Sequence, residues 1–390
     1  MTNTNTLELS APSDPWEQMG LFALFGVSGA VLFSIAGAQI LLAVAIACWV
    51  AVLITRHERP AVPSFFWPLL LYAGWTLVSM AFSPDPRVSL TECKQLVLLL
   101  MVPLVYRFAV GHRAMTMMTV IISFAAASAV VGIFQYAILH YDNLGQRPQG
   151  MLGHYMTYSG QLMLVLTVAL ARVLFGRRER LWAAAVIPAL AVAIALTLTR
   201  SAWVGACVAA ALLLSLKDFR LLAILPIAAA IFFAVSPATL TKRFISIFDA
   251  TDPSNRDRLA MLREGAQMIR AHPLVGVGPN MVQARYEEYR DPDAVHKVNP
   301  HLHNVPVQIA AERGLPALAI WLWFVVVLVV SLARRVRDGD LRFLAASALA
   351  AVAAMLAAGM FEHNFGDSEF LMLFLILVTL PFAAERSAAA

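Results

Sequence analysis

The residues of this chain that could do chemistry are mainly arginines and histidines, and they cluster in four polar stretches between long apolar runs. Asp142 to His154 reads DNLGQRPQGMLGH and carries Arg147, while Leu196 to Gly205 reads LTLTRSAWVG and carries Arg200. The stretch SNRDRLAMLREG supplies Arg256, Arg258 and Arg263. The fourth, HLHNVPVQIAAERGLP from His301 to Pro316, supplies His301, His303 and Asn304. A guanidinium fork matches phosphate oxygens in pairs, and an imidazole near neutral pH can accept a proton. Together they suit a reaction that holds an anion and deprotonates a hydroxyl. Each residue also has a plainer role open to it. Arginines near a bilayer serve as interfacial anchors, and loop histidines are commonly hydrogen-bonded. A zinc site built from His-x-His with His296 or Glu312 has the ligand types but no recognised zinc spacing. The three cysteines, Cys48, Cys93 and Cys207, show no ligand spacing and read as small buried hydrophobes.

The elements that must position these residues are membrane helices. Hydrophobic residues make up 60% of the chain and charged ones 14%, with a mean hydropathy of +0.73. A soluble domain is nearer half apolar and a quarter charged. The excess falls into stretches without the alternation that barrel strands need, so an all-α polytopic membrane protein is expected. Its twelve transmembrane helices are expected near 19–36, 38–55, 65–82, 95–110, 115–139, 152–175, 181–198, 201–216, 219–237, 315–333, 341–360 and 369–384. A tight turn is expected after Ala36 and another joint between Leu198 and Ser201.

The joints between these spans alternate in charge. One set carries Arg56, Arg59, Arg107, Arg113, Arg177, Arg178, Arg180, Lys217, Arg220, Arg334, Arg335, Arg337 and Arg342. The other short joints carry Arg87, Lys94, Arg147 and Arg200. The positive-inside rule makes the first set cytoplasmic, with both termini, and so accounts for the net charge of +5 without nucleic acid. Arg147 and Arg200 then break the bias of their own side, which calls for a partner: Asp142, Glu312 or an anionic ligand. The N-terminus lacks the charged start of a secretory signal.

The expected divisions are a cytoplasmic tail over 1–18, spans over 19–237, a large far-side loop over 238–314, spans over 315–384 and a cytoplasmic tail over 385–390. In the loop, Ser254 and Asp257 resemble a capping box ahead of a helix that stops near His272-Pro273. That places Arg256 and Arg258 in its first turn, where helix amides and guanidinium groups would form an anion site. A second short helix is expected over 283–290. His363 and Asp367, in the joint FEHNFGDSEF, either line the same cavity or cap helices.

These stretches, in this order, resemble the O-antigen ligase and polymerase superfamily of bacterial envelopes. The ligase branch has an Arg-x-x-x-Leu element, matched by Arg258 and Leu262, and a His-Asn element followed after nine residues by glycine, matched by His303, Asn304 and Gly314. The phrase AHPLVGVGPN also fits a superfamily signature, whereas Ala317 departs mildly from the family's residue at that place. The motif region runs from about Arg147 to Leu318.

The resemblance implies a GT-C-like membrane glycosyltransferase with a periplasmic active site in the bacterial inner membrane. It implies undecaprenyl-diphosphate-linked O-antigen as donor and a lipid A core oligosaccharide as acceptor. No cofactor or metal is expected, because arginines can neutralise the departing diphosphate. In this reading His303 is the general base, with Asn304 or Glu312 orienting the imidazole or the acceptor. Arg147, Arg200 and Arg258 hold the diphosphate, with Arg256 and Arg263 as second choices. Direct attack would invert the anomeric centre. The rivals are a polymerase using the same donor and a lipid-linked glycan transporter; the latter would need charges along mid-span, where residues are nearly all apolar.

Overall fold

The computed structural model describes residues 14–176, 178–338 and 341–386. Residues 1–13 and 387–390 of the expected tails, and Arg177 of the basic joints, lie outside the described residues. Among the described residues every regular element is a helix.

Asp14 caps α1 (Pro15–Ala30), accepting from the Trp16 amide, and proline sits where no donor is needed. Ser34 starts α2 (Ile35–Thr55) by accepting from the Gly37 amide. The first turn therefore lies over Val31–Ser34, ahead of its expected place after Ala36, because the hydroxyl cap decides the boundary. α3 covers Phe66–Ala81. α4 (Pro86–Cys93) continues through a 3-10 stretch into α5 (Met101–Phe108), forming one apolar rod that begins earlier than the expected 95. α6 (His112–Ala137), α7 (Tyr155–Phe175), α8 (Arg180–Leu196), α9 (Arg200–Lys217) and α10 (Ile224–Val235) follow.

Three shorter helices come next: α11 (Ala238–Ile245), α12 (Pro253–Ala271) and α13 (Val282–Tyr289). The chain then returns to long helices in α14 (Val305–Asp338), α15 (Arg342–Gly359) and α16 (Ser368–Ala384).

Each of the twelve expected stretches falls on a helix. Among the described residues, seven helical stretches are long and apolar enough to cross a membrane, and four shorter apolar helices accompany them. Exposed side chains such as Ile54, Trp67, Phe82, Leu181 and Val235 stud their outer faces. Apolar area of that extent is costly in water and suits hydrocarbon. The chain is thus a multi-pass membrane protein. α7, α15 and α16 form its most enclosed part; residues 370–384 of α16 are all buried.

The segment between α10 and α14 has a small core of its own, with Met261, Met268, Val282 and Leu302. The expected capping box is absent. Asp252 caps α12 by accepting from the Ser254 and Asn255 amides, which places Arg258 beyond the first turn. Asp257 instead binds the later loop, accepting from the Val295 and His296 amides and lying 2.7 Å from His296 Nδ1. His296 is thereby committed to Asp257, and the ligand types that come together among the described residues are His301, His303 and Glu362.

The His-Asn-x9-Gly pattern and AHPLVGVGPN are one structural unit. Gly314 breaks α14 at φ 81°, in the left-handed region that favours glycine. The break frees carbonyls that the other motif uses: the Val277 amide donates to Ala311 at 2.8 Å and the Gly278 amide to Glu312 at 2.9 Å. The Leu315 amide returns to Pro273 at 2.8 Å. A Cβ on Gly314 would overlap the Leu274 carbonyl, and one on Gly276 would overlap the Glu312 backbone. Ser79 of α3 clamps the junction by donating to Val275 and Glu312.

Candidate functional site

The starts of α7, α9 and α12 and the end of α15 bring the polar stretches to one end of the bundle. Arg200 is the first residue of α9 and is 5% exposed. It donates to the Ser246 carbonyl at 2.9 Å and to Asp252 at 3.2 Å. Arg147 finds neither Asp142 nor Glu312. Its guanidinium lies 4.2 Å from the centre of the Tyr155 ring, and its Nε donates to Leu144. Arg258 makes no hydrogen bond or close ion pair with any described residue, yet its charge is felt by Glu362, Arg200, Tyr155 and Asp252.

The sequence reading missed a fourth cation. Arg243 of α11 donates to the Leu198 carbonyl and lies 3.9 Å from Asp252. Burial, then the nearby Arg200 and Arg147, push its guanidinium down to about 10. Burial lowers Arg147 and Arg258 as well, with Arg200 adding to it in each. Four guanidinium groups therefore share a field in which Asp252 is the acid in ion-pair reach. The only sequence signal for Arg243 was its place in TLTKRF, which reads equally well as a basic interface.

Beside this cluster stands a histidine–carboxylate group. Asn304 caps the start of α14, accepting from the Val307 amide and donating to the Met360 carbonyl. That cap fixes His303 at φ 47°, a conformation that histidine tolerates better than most residues. His303 Nδ1 lies 3.1 and 3.2 Å from the two Glu362 oxygens, and His301 Nε2 lies 3.4 Å from Glu362 Oε1. The rings of His301 and His303 are 4.3 Å apart, and His363 is 5.7 Å from His301. Burial opposes the Glu362 charge, but His303 and His301 outweigh it and hold the carboxyl well below its usual range. Burial, then His301 and Arg313, push His363 well below the usual imidazole range, so it stays neutral.

The group within hydrogen-bond reach of the His303 ring is Glu362, not Asn304 or Glu312. Glu312 is locked elsewhere, accepting from Arg313 at 2.6 Å, Gln308 at 2.8 Å and the Asn280 amide at 3.0 Å. The second-choice arginines are not brought to the cluster. Arg256 is exposed, and Arg263 pairs with Asp293 at 3.0 Å and Asp291 at 3.5 Å. Asp367 does both things open to it: it accepts from the Phe370 amide at the start of α16 and binds Thr157. With His154, Ser201, His301, Glu362 and His363 it lines a cavity of about 230 Å³.

A many-helix membrane bundle with a histidine-lined cavity and an arginine cluster beside it defines the class. Residues 183–322, just over a third of the chain, match the family described as O-antigen ligase. That segment carries Arg200, Arg243, Arg258, His301 and His303, and it belongs to the O-antigen ligase superfamily of membrane glycosyltransferase-like enzymes. Arg147 and Glu362 lie outside it. No curated protein matches significantly.

Proposed function

We propose that this protein is an O-antigen ligase, moving a polysaccharide from undecaprenyl diphosphate to the lipid A core oligosaccharide at the periplasmic face of the inner membrane. The carrying observation is the pairing of His303 Nδ1 with Glu362 beside four arginines that have one close acid among them. Nδ1 donating to Glu362 fixes the tautomer and leaves the Nε2 lone pair free. That nitrogen takes the proton of the acceptor hydroxyl as its oxygen attacks the anomeric carbon. The bond from that carbon to the diphosphate oxygen breaks, and the electron pair leaves with the diphosphate. Arg147, Arg200, Arg243 and Arg258 receive the developing charge. Glu362 stabilises the imidazolium meanwhile. Attack opposite the leaving group inverts the anomeric centre.

The proposed layout keeps the 238–314 segment as a periplasmic loop, with both chain ends in the cytoplasm. The alternation of basic joints supports it.

A metal reading also has an observation behind it, since His301, His303 and Glu362 offer ligand atoms within 4.8 Å of one another. The positive field argues against it: Arg258 already feels the Glu362 charge, and a dication on that carboxylate would repel the guanidinium. Transfer that survives EDTA supports the arginine mechanism; activity lost to EDTA and restored by a divalent metal overturns it.

Deletion followed by lipopolysaccharide analysis separates ligase from polymerase. Loss of a ligase leaves long lipid-linked O-antigen unattached to core. Core carrying a single repeat unit would identify a polymerase, and donor trapped on the cytoplasmic face a transporter.

A further inference from the structure

A second cavity, of about 610 Å³, opens at the opposite end of the bundle. α7 connects the two: His154 and Thr157 at its start line the first, and Arg172 and Phe175 at its end line the second. At 1.5 Å per residue its 21 residues separate them by roughly 30 Å. The transfer proposed above uses nothing here.

Three guanidinium groups belong to this cavity's wall, from Arg172, Arg178 and Arg342, along with one acid, Glu179, and His112. Arg172 is 1% exposed. It lies 3.0 Å from Glu179 and donates to Thr119 at 2.7 Å, but its Nε has no hydrogen-bond partner among the described residues. Glu179 reaches it from a left-handed backbone, φ 56°, an uncommon conformation for glutamate. Arg342 donates one nitrogen to the Leu216 carbonyl and lies 5.0 Å over the Phe175 ring. Arg178 is exposed at the rim and makes no ion pair with a described residue.

An ion pair between buried Arg172 and exposed Glu179 accounts for those two residues. It does not account for two further arginines converging on the same space, where like charges repel. An anion with several oxygens would complete the site by accepting from two forks and a free N–H. The remaining wall includes Val120, Phe175 and Phe343, which suits a ligand whose charge is attached to something apolar.

We propose that this cavity binds a phosphate-bearing anion, with the headgroup of an acidic phospholipid as its occupant. Arg178 and Arg342 would grip the phosphate oxygens, while the Arg172–Glu179 pair holds the cavity open from within.

The test uses the full chain reconstituted in nanodiscs of mixed phosphatidylglycerol and phosphatidylcholine, with retained lipid read by native mass spectrometry. Wild type should retain phosphatidylglycerol several-fold over phosphatidylcholine, and R178Q/R342Q should lose that preference about fivefold or more. R59Q/R220Q removes equal charge from basic joints outside the cavity and should keep it. Helix content by circular dichroism confirms that both variants are folded. Displacement by millimolar inorganic phosphate would show that the phosphate group suffices; resistance to it would assign the site to the whole lipid. Equal retention by wild type and R178Q/R342Q, an equal loss in R59Q/R220Q, or equal retention of both lipids by wild type would overturn the proposal.

Discussion

Two clusters share one end of this bundle, and their charge balance differs. Arg200 and Arg243 have Asp252 in ion-pair reach, Arg147 and Arg258 pair with no described acid, and burial with mutual repulsion pushes Arg243 down to about 10. His301 and His303 flank the Glu362 carboxylate, which they hold below its ordinary range. The first cluster is incomplete without an anion. The second is complete as it stands and has a lone pair to offer. A folded protein holds such an excess of positive charge only where other contacts outweigh it. Here α12, the 290s loop and the Gly314 junction supply those contacts. In the proposed reaction, that difference gives binding to one cluster and proton transfer to the other.

Removing the proton acceptor is the sharpest test of that division. General-base catalysis contributes about 10²–10⁴-fold, so His303→Ala should lose activity in that range. Binding of lipid-linked donor should change little, because the arginines remain. Tighter coupling, with donor binding lost as well, would merge the two clusters into one. Assays of glycan transfer and of donor retention on the same preparation measure both.

Arg258→Lys tests the other side. The charge stays but the fork is lost, and a hydrogen bond to a charged group is worth about 1.5–3 kcal/mol. Transfer should fall roughly ten- to a hundredfold. Arg258→Gln should be no better, and a lysine variant with full activity would reduce Arg258 to a diffuse charge.

Glu362→Gln should have a smaller effect, roughly tenfold on kcat, because one charge-assisted bond becomes neutral. The Glu362 carboxyl is held below its ordinary range. Its stabilising contribution is therefore present above an ordinary pKa of about 4.3 and is lost only as pH falls through the lower, folded value. At assay pH the wild-type group is an anion that favours the imidazolium. Without that anion the acid limb of the pH–rate profile should move to lower pH. An unmoved limb with reduced kcat would make Glu362 a packing residue.

Much of this was legible in the sequence, for identifiable reasons. Arg147 and Arg200 stood out because they violate the charge bias of their side, and His303 because Asn304 and, after nine residues, Gly314 follow it as in the ligase element it resembles. The twelve apolar stretches each became a helix because span length and apolarity are local properties. What failed was pairing across distance. Glu362 meets His303 from 59 positions away, and nothing local distinguishes it from Glu312, which Arg313 claims. Arg243 was hidden in the same way: its role depends on where α11 packs. The Asp252 cap displaced the expected Ser254 cap because Pro253 fits the first helical position.

The smallest predicted effect bears on the boundary of the arginine cluster. Arg256, Arg258 and Arg263 share α12, and sequence alone grouped them. At 100° per residue, Arg256 points about 200° from Arg258, and Arg263 about 140° from it, so neither shares its face. Arg263 is about half exposed and pairs with Asp293 and Asp291; surface pairs of this kind contribute about 0–1 kcal/mol. Arg256→Ala and Arg263→Ala should therefore transfer glycan within about twofold of wild type. A tenfold loss at either position, with donor binding weakened, would mean that the helix turns or the loop closes when donor arrives. The cluster would then be assembled by its ligand, and its positive charge would be recruited at binding instead of being held ready beforehand.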